Sequence, residues 1–112
     1  MQNHNLVTLL NSLIGQQTAL TNKLQITRDP DLANAISTEI SEILHRIILT
    51  QNLLFQSDSA QLKDSVTAVK SADGALSAAI NNFTKAADLI NAVSTYLGYV
   101  DKAIDLAKTV GM

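Results

Sequence analysis

The nearest approach to a reactive constellation in this chain is Glu42-Ile43-Leu44-His45. Its Glu-x-x-His spacing places two metal ligands on one helical face, as in di-iron bundles, but such a centre needs two copies plus a Glu from each of two further helices. This chain has one copy, and Glu39 is its only other Glu. His45 adjoins Arg46 on the polar side of its helix and reads as a surface residue. Asp101 and Asp105, one turn apart, resemble a catalytic carboxylate pair, yet they alternate with Lys102 and Lys108 and read as a solvated face. Asp73 falls beside an apolar seam. It is expected to cap a helix starting at Gly74, since an acid tuned for catalysis would need a partner group and none is in view. His4 sits in an N-terminus expected to fray. There is no Cys, so neither a disulfide nor a thiolate metal site can form. No nucleophile–base pair or ligand cluster assembles from what remains. Catalytic, metal-binding and cofactor-binding residues are therefore expected to be absent, and the chain is not expected to be an enzyme.

Two further motifs have bland readings. Asn82-Phe83-Thr84 matches the N-glycosylation pattern but lies in a helical segment and reads as chance. Tyr96 and Tyr99, flanking Gly98, are the aromatic cluster of the C-terminal segment. Core packing, a partner hot spot and a membrane-interface anchor are the roles open to them.

The elements that carry these residues are helical. Aromatics make up 4 % of the 112 residues and there is one Pro, whereas Ala, Leu and Ile abound, a balance that favours helix over sheet. Leu6, Leu10, Leu13, Gln17, Leu20 and Leu24 form one helical stripe, with Gln17 its polar member, and predict a helix over 5–26. Asp29-Pro30-Asp31 supplies an N-cap, a first-turn proline and a first-turn acid for a second helix over 30–56. So short a loop makes these two helices antiparallel neighbours. From Ile43 onward the apolar face of the second helix widens through Leu44, Ile48, Leu49, Leu53 and Phe55. Its second half is therefore expected at the centre of the core.

After Gln56-Ser57-Asp58-Ser59 the chain has no Pro, and an almost unbroken apolar stripe runs from Leu62 to Ala107. The turn dipeptide Asp73-Gly74 argues for helices over 59–72 and 75–109, while the stripe argues for one continuous rod. A kink or break near Asp73-Gly74 is the expectation. The fold class is thus a single all-α domain spanning 1–112, an antiparallel bundle of three to four helices with a long, Ala-rich C-terminal helix.

The surface is weakly charged. Charged residues make up 16 %, net charge is −2, and Asn, Gln, Ser and Thr supply about a third of the chain. No basic footprint for nucleic acid is present. Met1 to Gly15 holds no Lys or Arg, and Thr8, Asn11 and Ser12 interrupt its apolar stretch, so it reads as no signal peptide. No apolar run approaches a membrane span. The compartment is either the cytoplasm or one reached by a signal-independent route.

Such a surface suits a structural or interaction protein that self-associates or docks a protein partner. The candidate surface is the small-residue and apolar stripe Ala72, Ala75, Ala79, Phe83, Ala86, Ile90, Val93, Tyr96, Leu97, Tyr99, Val100 and Ile104. Homo-oligomers follow if the C-terminal segment is one exposed rod, a coiled-coil geometry. A hairpin turning at Asp29-Pro30 ahead of a long C-terminal helix resembles type III secretion needle subunits over about residues 10–70, through the turn and helix periodicity alone. Two alternatives stand beside this reading. One is a membrane-active amphipathic protein of pore-forming or lipid-binding type, for which Lys on the polar face is sparse. The other is a small effector or inhibitor of another macromolecule.

Overall fold

The computed structural model describes residues 2–110. Four helices follow one another: α1 (His4–Ile26), α2 (Pro30–Asn52), α3 (Ala60–Asn82) and α4 (Ala86–Val110). No strand occurs among the described residues.

Each start has a local cause. Asn3 caps α1, its side-chain oxygen accepting from the backbone N–H groups of Asn5 and Leu6. Asp29 caps α2 in the same way through Asp31 and Leu32, with Pro30 in the first turn. The Ser59 hydroxyl accepts from the Leu62 N–H at the head of α3. The N-terminus does not fray at His4. Asn3 is buried, its N–H donates to the Leu54 carbonyl at 2.6 Å, and its amide donates to the Gln56 carbonyl at 3.0 Å. The start of α1 is thereby tied to the α2–α3 connection.

The break expected at Asp73-Gly74 falls ten residues later. α3 runs through both residues, and Gly74 keeps negative φ. Helix α3 ends instead where Phe83 turns to extended backbone while its ring packs on the core. From the neighbouring helix, Lys23 donates to the exposed Asn81 carbonyl at 3.2 Å and stands 5.6 Å from the Phe83 ring centre. A cation is favourable at the negative end of a helix dipole, and over an aromatic face. The second helix also stops short of the expected 56, at Asn52, and a turn over 53–55 leads away from it.

Side-chain contacts give the topology. Asn5 meets Asp58, Ser12 meets Asp73 and Lys23 reaches Asn81, so α1 and α3 run parallel. Two short loops make α1–α2 and α3–α4 antiparallel hairpins, and α2 packs along α4. The helices thus stand at the corners of a square in the order α1, α2, α4, α3, and the 53–59 connection crosses its diagonal. The body measures 45 × 21 × 17 Å, the length of one helix rather than of a 50-residue rod.

The core is drawn from one stripe of each helix, including Leu9, Leu13, Ile43, Val69, Leu89 and Val100. On α1 the buried polar member is Gln16, 4 % exposed, and not Gln17, because Leu9 rather than Leu10 faces inward and rotates the stripe by one residue. On α2 the second half is not central. Leu44 and Ile48 are 43 % and 49 % exposed, and Phe55 is 73 % exposed. At a corner of the square a helix has two neighbours, and its outer arc faces water whatever its composition.

Candidate interaction surface

The stripe proposed from sequence divides between the inside and the outside of the bundle. Val93, Tyr96, Leu97, Val100 and Ile104 are buried among the protein's own helices. Ala72, Ala79, Phe83 and Ala86 are half-buried, and Ala75, Ile90 and Tyr99 are exposed. The seam therefore closes mainly on itself: α3 and α4 fold back at 83–85 and each covers the other. Three separated residues remain on the surface, rather than a continuous strip.

Asp73 lies half-buried within α3 and caps no helix. The Ser12 hydroxyl donates to Asp73 Oδ1 at 2.6 Å, and the Tyr96 hydroxyl lies 2.6 Å from the same Ser12 oxygen. Ser12 has one proton and gives it to the carboxylate, so Tyr96 donates to Ser12. The Gln16 amide nitrogen adds bonds to Asp73 Oδ1 at 3.1 Å and to the Ser77 hydroxyl at 3.2 Å. Burial pushes the Tyr96 phenol far above its usual value. The Ser12 hydrogen bond opposes the rise and the Asp73 charge adds to it. This network joins α1, α3 and α4 at one level of the bundle and holds their register. It has the parts of a structural pin.

A second polar cluster links α2 to α4. Arg46 Nε and Nη2 fork onto the two Asp101 oxygens at 3.0 and 3.1 Å, while Nη1 pairs with Glu42 one turn back. The Asp101 hydrogen bond leads in holding the guanidinium protonated. Glu42 is therefore engaged with Arg46, and His45 is exposed on another face. No group of three or more His, Cys, Asp or Glu side chains able to hold a metal ion occurs among the described residues.

One group of exposed apolar residues lies where sequence periodicity pointed inward. Glu39, Glu42 and Arg46 mark the flank of α2 that faces α4. Leu44 and Ile48 lie on the opposite flank, toward α1, by the 100° step of a helix. On α1, Ser12, Gln16 and Lys23 mark the flank facing α3, and Ile14, 41 % exposed, lies on the other, toward α2. Val7 and Leu10 accompany Ile14 there at half burial. The outer face of the α1–α2 hairpin is thus an apolar strip. Around these residues it is also free of charge: residues 1–22 contain no Asp, Glu, Lys or Arg, and the exposed α2 positions beside Leu44 and Ile48 are Ser37, Ser41, His45, Gln51 and Asn52, the exposed Glu42 lying toward α4. The signal was present in the sequence as a first helix with no charge before Lys23, beside a second helix apolar on most sides. Only the number of neighbours around α2 decides that this face is left open. No helix is long and apolar enough to cross a membrane among the described residues.

No protein-family model, curated protein or solved structure matches this chain.

Proposed function

We propose that this chain is a non-enzymatic helical interaction protein that works through the outer face of its α1–α2 hairpin, by self-association or by docking a protein partner. The observation that carries the reading is the coincidence of exposed Ile14, Leu44 and Ile48 with uncharged neighbours on α1 and on the α1-facing side of α2. Contiguous exposed apolar surface marks contact sites. A face without charge also lets identical copies meet with no like-charge opposition to overcome. The same lack of Lys and Arg disfavours an anionic lipid surface as the occupant.

Light scattering coupled to size-exclusion chromatography over a range of concentrations tests this. The expected mass exceeds the 12.0 kDa of one chain and rises with concentration. Leu44→Lys/Ile48→Lys is expected to return it to the monomer with helical content unchanged. A mass of one chain at every concentration removes self-association. Loss of capture by a partner in the double variant then supports docking. Leakage of dye-loaded vesicles that vanishes in that variant would instead favour the lipid reading.

A further inference from the structure

Glu39 has no role in the network or the interface described above. Its residue is 7 % exposed, yet it accepts no hydrogen bond and pairs with no cation among the described residues. The cation one helical stretch away is already taken, since Arg46 is forked onto Asp101 and bonded to Glu42. The residue is thus mostly covered while its carboxylate has water, and no protein donor, as its partner. Burial, with the neighbouring Glu42 charge behind it, raises the Glu39 pKa.

The carboxylate is not sealed in. Glu39 lines an open groove of about 410 Å³ between α2 and α4, walled by Thr38, Ser94, Ile90 and Leu97. That size is at the lower end of sites for small organic ligands. Gly98 stands at its edge. A side chain there would meet nothing within 4 Å, and its φ is not positive, so neither the backbone nor a close approach requires glycine. What the missing side chain does is leave the groove open. With Glu39, Glu42 and Asp101 against Arg46, the formal charge of the lining is 1 − 3 = −2.

We infer that this groove is a binding site for a primary alkylammonium group, with the ammonium on the Glu39 carboxylate and the alkyl stem along Ile90 and Leu97. A compact cation with three donors suits one carboxylate flanked by the hydroxyl-bearing Thr38 and Ser94, whereas a planar guanidinium needs the fork that Asp101 already gives to Arg46. The amine comes either from a free aliphatic amine or from a lysine side chain of another protein, and both present the same chemistry. The site is separate from the α1–α2 face, so either assignment can fail without the other.

The test is an amide ¹H–¹⁵N titration of the full chain with n-pentylammonium chloride at pH 7, against a sodium chloride control. Saturating shifts are expected at Glu39, Ile90, Ser94, Leu97 and Gly98. Glu39→Gln keeps an acceptor oxygen but removes the charge, and is expected to weaken binding by about tenfold. Gly98→Leu, which adds bulk to the groove lining at a position with open space around a new Cβ, is expected to abolish it while leaving the fold intact. Shifts that never saturate and spread over exposed Asp29, Asp64 and Asp105 would overturn the assignment. So would equal affinity in either variant. Nα-acetyl-lysine amide and spermidine, run in parallel, separate the sources: tighter binding of the first points to a protein lysine, and of the second to a free polyamine.

Discussion

Replacing Asp73 by Ala removes the acceptor at the centre of the α1–α3–α4 network. Two bonds to a charged oxygen disappear, from Ser12 at 2.6 Å and from Gln16 at 3.1 Å. Bonds to charged groups contribute about 1.5–3 kcal/mol each in favourable settings. Three effects reduce that sum here. Asp73 is half-buried and partly screened by water, the Gln16 amide keeps Ser77 as an acceptor, and Ala is the better helix former. The expected net loss is about 2 kcal/mol, or about 8 °C in Tm at this chain length. Urea unfolding followed by circular dichroism at pH 7 measures it, with an unchanged m-value showing that the native and denatured states stay comparable. The decisive quantity is the coupling in a cycle of Ser12→Ala, Asp73→Ala and the double variant. Because Ser12 relays the Tyr96 hydroxyl to Asp73, the two costs should overlap by about 1 kcal/mol. Costs that simply add within about 0.3–0.5 kcal/mol would refute the network as a cooperative unit.

Gly74→Ala should stabilise the protein by about 0.5–1 kcal/mol, measured by thermal melting, because Gly74 lies inside α3 with negative φ and open space around a new Cβ. A chain that broke there would show no such gain. Asp29→Ala should cost about 1 kcal/mol by the same measurement, through loss of the cap on α2. Glu39 has a folded-state pKa above its unfolded value, so the folded chain binds more protons between the two. Its favourable contribution is complete below the unfolded value, near 4.5, and is lost as pH rises through the folded one. Glu39→Gln should therefore be more stable than the parent at pH 7, with the difference vanishing at pH 3 in urea titrations. Tyr96 follows the same sign in the alkaline range: stability falls as pH climbs through its raised pKa, and Tyr96→Phe should lessen that fall.

Much of the helix pattern is legible in the residues because its causes are local. Asp29 before Pro30, Ser59 before Ala60 and the apolar spacing of α1 act within a turn or two of the chain, and no distant group is needed to read them. The candidate surface was less legible. Period alone gives the direction of an apolar arc only to within about one residue, which is the difference between Gln16 and Gln17. Asp73-Gly74 carries a turn signature that loses to packing: Ser12, Gln16 and, through Ser12, Tyr96 satisfy the carboxylate inside a continuous helix.

What the sequence by itself determined is the helical class, the Asp29-Pro30 turn and a first helix uncharged up to Lys23, since propensity, capping and composition belong to the chain before it folds. What only the tertiary structure decided is where α3 ends, which carboxylates are buried, and that Leu44 and Ile48 face outward. Those depend on how many helices surround each helix. With α2 at a corner of a square of four, burial stops where its two neighbours end, and the rest of an apolar face is left exposed.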